Sequence, residues 1–110
     1  MALNLKRGNV YWINLDPTQG SEIRKMRPCV IVGATPINQA RRTVVIIPLS
    51  TAGKPRPPIA TPVTCLEKKV IAVCDQIRAV DKTRLIKEAG ELSVEDMAEV
   101  ENSLRQVLSL

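Results

Sequence analysis

Five short runs rich in β-branched and aliphatic residues precede one long helical stripe, and this order sets what the chain can fold into. The runs are Val10–Leu15 (V-Y-W-I-N-L), Cys29–Val32, Thr43–Pro48 (T-V-V-I-I-P), Ile59–Cys65 and Val70–Cys74. Their lengths suit strands and are too short for globular helices. Turn chemistry separates them. Asp16-Pro17-Thr18-Gln19-Gly20 and Leu66–Lys69 read as turns, and Thr35–Arg42, with Pro36 and Asn38, reads as a connection. Ala52–Pro58, carrying Gly53, Pro55, Pro57 and Pro58, cannot be regular structure. Asp81–Leu85 has room for one helical turn. Ser93 then opens the one convincing helix: it can cap, Glu95 and Asp96 suit the first turn, and Met97, Val100, Leu104, Val107 and Leu108 form an apolar stripe.

The expectation is therefore a single domain over residues 1–110, mainly β with a C-terminal helix (α+β). Its architecture would be a strongly bent antiparallel sheet or small SH3-like barrel that the helix covers. A chain of 110 residues can bury roughly two thirds of its unfolded surface, so it needs no disulfide or metal staple.

Composition narrows the function. The net charge is +5, but residues 93–110 hold one arginine against four carboxylates, which leaves +8 on residues 1–92. A polyanion would bind the body and not the C-terminal segment. Trp12 and Tyr11 are the only aromatic residues, which argues against recognition carried mainly by base stacking. Histidine is absent altogether. That excludes histidine triads, histidine pairs for RNA cleavage and histidine metal sites, and leaves acid–base work to arginine, lysine, carboxylates, hydroxyls or thiols. Cys29, Cys65 and Cys74 have no metal-binding spacing and read as small buried hydrophobes in a reducing cytosol. No signal-peptide pattern and no apolar run near 18 residues is present, so the expected setting is cytoplasmic with no membrane contact. Neither a metal nor another cofactor is expected.

The candidate site centres on Gly20–Gly33 (G-S-E-I-R-K-M-R-P-C-V-I-V-G). Its first half is a charged loop with Glu22, Arg24 and Lys25; its second half is a buried strand. Pro28 fixes its own φ and biases Arg27 toward extended backbone, which sets the guanidinium at the mouth of the strand. Ser50 and Thr51 follow the third strand as a hydroxyl pair. Lys54 and Arg56 add cations on the proline-rich loop. Asp75-Gln76 interrupts an apolar run and needs polar partners there, as a structural node or as part of a site.

R-G-N-V-Y-W-I-N-L-D-P-T-Q-G-S-E-I-R-K-M-R-P-C-V-I-V at 7–32, V-V-I-I-P-L-S-T at 44–51 and V-I-A-V-C-D-Q-I-R-A-V-D-K-T-R-L at 70–85 closely resemble, in order, three blocks of the MazF/PemK family of toxin endoribonucleases. The resemblance implies a CcdB-like barrel forming a homodimer, metal-independent and sequence-specific cleavage of single-stranded RNA to 2′,3′-cyclic phosphate and 5′-OH ends, and growth inhibition. It also implies a cognate MazE/PemI-like antitoxin whose acidic, disordered tail occupies the RNA groove. Carried over by position, Arg27 matches the arginine before proline used in catalysis, and Ser50 the catalytic Thr or Ser after the second block. Glu22 matches the loop glutamate after Gly-Ser, and Asp75 the acid of the C-D-Q element. Ser21, Arg24, Lys25, Thr51, Lys54, Arg56 and Gln76 are the expected RNA contacts. PemK-type enzymes have an arginine where this chain has Val73 and a loop histidine where it has Ser21, so the chemistry is expected to rest on Arg27 and Ser50.

Internal cleavage requires a proton taken from the 2′-OH, charge stabilised on the phosphorane and a proton returned to the 5′ oxygen. Electrostatic stabilisation is usually the largest of these contributions, and a guanidinium can fork onto two phosphate oxygens. The proton acceptor is Glu22 or Asp75 with a raised pKa, or Arg27 itself. The alternative function is a CcdB-like poison that cuts nothing and binds a protein target such as DNA gyrase.

Overall fold

The computed structural model describes residues 3–15, 20 and 25–110. The described residues form seven strands: β1 (Asn9–Asn14), β2 (Met26–Ile31), β3 (Thr43–Ser50), β4 (Ala60–Cys65), β5 (Lys68–Val73), β6 (Arg78–Asp81) and β7 (Leu85–Glu91). A short helix, α1 (Thr35–Ala40), joins β2 to β3, and α2 (Val94–Leu108) ends the chain. The sheet runs β4-β5-β3-β2-β1-β7, every described pairing is antiparallel, and β6 lies beside β3. This is the expected bent sheet with a C-terminal helix.

β3 is the hinge of that bend. One edge pairs with β2, while the other carries β6 along Thr43–Ile46 and then β5 at Leu49 and Ser50. Pro48 stands at the exchange of partners, where a ladder N–H is dispensable. The strand therefore passes through the proline instead of ending at it.

Both faces of β1–β3 are buried, which is why T-V-V-I-I shows no polar alternation. Val10, Val30, Ile47 and Leu49 point to one core, shared with β4, β5 and the α2 residues Met97 and Val100. The intervening positions Tyr11, Ile13, Cys29, Ile31, Val44 and Ile46 point to a second core, closed by Val80 and Leu85. The Ser93 cap forms as expected, its Oγ accepting the Asp96 N–H at 3.0 Å. The stripe continues through Leu104 and Val107, but Leu108 is nearly half exposed. Ser103 is buried in its stead, its hydroxyl 2.6 Å from that of Thr61.

Several boundaries differ from the sequence reading. Residues 35–40 form a helical turn and a half, held by the buried Asn38, whose Nδ2 donates to Leu5 O and Gly33 O. The Asp81 turn is a 3-10 turn over Lys82–Arg84, with Asp81 accepting from Thr83 N and Oγ1. β6 and β7 flank it, and neither was legible as a strand.

All three cysteines are free and buried. Burial pushes each thiol up, that of Cys29 to about 12. Native protein is therefore expected to react with fewer than one equivalent of a thiol reagent at pH 8 within minutes, and with three after denaturation. Prompt reaction of the native chain would contradict this packing.

Candidate nucleic-acid interface

The sequence sets Arg27 at the mouth of one strand and Ser50 just past the end of another, and the register of β2 and β3 brings them together. The β2–β3 ladder pairs Cys29 with Pro48 and Ile31 with Ile46. Continued by two residues, it sets Arg27 across from Ser50. Both line an open groove of about 310 Å³ beyond the end of the ladder, with Thr51 and Lys68 as its other polar residues. Trp12, Pro28, Leu49, Leu66 and Val70 supply its apolar lining. No carboxylate is among the described residues lining the groove. The site is a cationic, hydroxyl-bearing cleft with an apolar bed.

Arg27 is half-buried, and its Nε is a buried polar atom without a hydrogen-bond partner among the described residues. Such an atom costs stability unless something else occupies the site. Ser50 Oγ accepts the Ala52 N–H at 3.1 Å and lies 3.4 Å from Ala52 O, to which it can donate. That small turn fixes the hydroxyl at the strand end and leaves it free to rotate its proton toward a ligand. The β4–β5 turn supplies the far lip: Leu66 and Glu67 both have positive φ, 53° and 63°, as a two-residue hairpin of this hand demands. Leu66 is thereby held outward over the groove, half exposed.

The other expected residues fall elsewhere. Asp75 is exposed and Gln76 half-buried on a 3-10 turn, Cys74–Gln76, and neither is among the groove-lining residues. Lys54 and Arg56 are exposed on the β3–β4 loop, where the Arg56 backbone pairs with Ala60. Lys25 is exposed at the entry to β2, its carbonyl accepting the Leu15 N–H. Ser21, Glu22 and Arg24 lie outside the described residues.

Two groove residues were missed. Lys68 was read as part of a turn; it is the first residue of β5, paired with Cys65. Which of Lys68 and Lys69 faces the groove depends on hairpin register, which composition does not fix. Trp12 was counted only as one of too few aromatics, yet it stands in the groove wall, where a single base can stack.

A family model described as PemK-like, MazF-like toxin of type II toxin–antitoxin system matches residues 6–108. The chain is 36% identical over 112 residues to an endoribonuclease MazF of Staphylococcus epidermidis, covering 96% of this chain and 92% of the relative. It is 29% identical over 115 residues to the endoribonuclease MazF9 of Mycobacterium tuberculosis, covering 96% and 98%. Among solved structures, MazF from Deinococcus radiodurans superposes with a TM-score of 0.85 at 21% identity, covering 96% of each chain. A mycobacterial endoribonuclease in complex with its cognate antitoxin superposes at 0.80 with 23% identity, covering 96% and 95%.

Proposed function

Because the chain belongs to the PemK-like, MazF-like toxins of type II toxin–antitoxin systems, we propose that it is a sequence-specific endoribonuclease. It cleaves single-stranded RNA in the cytoplasm without a metal, acts as one toxin domain in a homodimer, and is neutralised by a cognate antitoxin with an acidic tail. The observation that carries this reading is the groove in which the unpaired Arg27 guanidinium meets the Ser50 and Thr51 hydroxyls and Lys68.

The chemistry follows from those groups. The 2′-oxygen attacks the adjacent phosphorus, losing its proton as the new P–O bond forms. Arg27 and Lys68 neutralise the charge that accumulates on the non-bridging oxygens. Ser50 Oγ donates to one of them and holds the phosphate in line. The P–O5′ bond then breaks, the 5′ oxygen takes up a proton, and the other product keeps a 2′,3′-cyclic phosphate. None of the described groove residues is a carboxylate. The proton acceptor is therefore Glu22, in the segment between β1 and β2, or Arg27 itself; Asp75 would have to act from outside the groove.

Incubating the purified chain with a mixed-sequence single-stranded RNA in EDTA tests the reading. Discrete cuts with cyclic-phosphate and 5′-OH ends are expected. Intact RNA, from protein shown to be folded and free of antitoxin, would overturn it and favour a poison that binds a protein such as gyrase.

A further inference from the structure

A second arginine shares the sheet face of Arg27. Arg78 opens β6 directly opposite Ile46 of β3. Two residues on, Val80 points into the second core beside Val44, so alternation sets Arg78 on that same side. Arg27, two residues before Cys29 on β2, shares the face by the same alternation. On a flat sheet the two backbones would stand roughly 10 Å apart across the strands and roughly 13 Å along them. Cys29 and Pro48 fill the ground between. Both arginines are half-buried, and neither side chain makes a hydrogen bond or ion pair among the described residues. Each bears on the buried Cys29 thiol, opposing the upward push of burial, Arg78 more strongly than Arg27.

Two half-buried, like-charged and unpaired groups on one face are unfavourable in the free protein. They become favourable when an anion lies across them. We infer that Arg27 and Arg78 form a two-guanidinium clamp for successive RNA phosphates, with Arg78 holding the phosphate next to the scissile one. The inference rests on the ribonuclease reading above and extends the substrate path from the groove onto β6. RNA is favoured over an acidic peptide because the clamp abuts the hydroxyls of Ser50 and Thr51, which phosphoryl chemistry uses and carboxylate binding does not need. Planar guanidinium forks also match phosphate oxygens in pairs. Arg78 acts as a binding residue, and the chemical step remains with Arg27 and Ser50.

The test compares wild type with Arg78→Gln, Arg78→Lys and Arg78→Met, the last keeping a long apolar stem against Ile46. Binding of 2′-O-methyl single-stranded RNA is measured as a function of salt. The slope of log affinity against log salt should become shallower by about 0.7 in the Gln and Met variants, as for one lost phosphate contact. Their affinity at low salt should fall about ten-fold. On cleavable RNA the loss should sit in KM, with kcat within about three-fold and the cut sites unchanged. Arg78→Lys should keep the slope and lose part of the affinity. An unchanged slope in the Met variant, or a loss confined to kcat, overturns the clamp.

Calorimetric titration with tripolyphosphate separates this inference from the function beneath it. Tripolyphosphate binding weakened by both Arg27→Gln and Arg78→Gln, in a chain that neither binds nor cuts RNA, removes the ribonuclease reading and the RNA assignment while leaving an anion clamp. Equal tripolyphosphate binding in all variants removes the clamp, whatever the RNA result. A Glu/Asp-rich peptide whose binding depends on Arg78, with an unchanged RNA slope, assigns the clamp to a protein partner and overturns the assignment to RNA.

Discussion

Arg27→Met is expected to abolish RNA cleavage and at the same time to stabilise the fold. The two effects have one cause. Arg27 holds a buried Nε with no partner among the described residues, a defect worth about 1–3 kcal/mol in a typical interior. Methionine keeps the unbranched stem between Pro28 and the groove and removes the unpaired atom. A gain of about 1 kcal/mol, read as a denaturation midpoint raised by a few degrees, is the expected result. Activity moves the other way. Arg27 is the only arginine lining the groove among the described residues, and removing one preorganised charge from a phosphoryl-transfer site costs about 10²–10³ in kcat. Arg27→Lys separates charge from geometry: it keeps the cation, loses the fork and should retain about 1–10% of the rate. Single-turnover cleavage beside thermal melts provides both readouts. An Arg27→Met protein that cuts RNA within ten-fold of wild type would remove Arg27 from the chemistry. One that is inactive and markedly less stable would show that the arginine is a structural prop.

Much of this site was legible because its signals are local. Pro28 after Arg27 fixes backbone at one strand mouth, and Ser50-Thr51 after V-V-I-I-P marks the end of another. The resemblance of three blocks implies one shared site for both residues. Register decides the rest, and register is non-local. Lys68 and Arg78 look like ordinary surface cations until pairing with Cys65 and Ile46 assigns each a face. β7 escaped notice for a related reason. L-I-K-E-A-G-E is an edge strand, with Ile86, Lys87, Glu88 and Glu91 exposed, and charged residues are what protect such an edge. Two register shifts against β1, one next to Gly90 at a φ of +133°, break its alternation further. α1 is six residues long, carries Pro36 in its first turn and has little propensity of its own. It exists because a tertiary contact holds it.

That contact supports the second large effect, on stability alone. Gly33 does not occupy left-handed backbone, so a side chain there meets no conformational penalty. What it meets is Asn38: a Cβ at Gly33 would lie 2.5 Å from Asn38 Oδ1, with Val45 Cβ at 3.6 Å behind it. Asn38 cannot swing aside cheaply. It is 1% exposed, and its Nδ2 is bonded to Leu5 O at 3.0 Å and Gly33 O at 2.8 Å. Gly33→Ala must break those bonds or displace α1, at an expected cost of about 2–4 kcal/mol and a midpoint lowered by about 8–15 °C. Asn38→Ala leaves the same carbonyls unpaired without the clash and should cost about 2 kcal/mol. The two substitutions should not add, because the obstacle to the alanine methyl is the asparagine itself. The double variant is expected within about 0.5 kcal/mol of Asn38→Ala, so the coupling in the double-mutant cycle should equal the Gly33→Ala cost, about 2–4 kcal/mol. Additive costs, or a Gly33→Ala midpoint within 2 °C of wild type, would show that this contact does not anchor α1. RNA cleavage per folded molecule should be unchanged throughout, since neither residue is among those lining the groove.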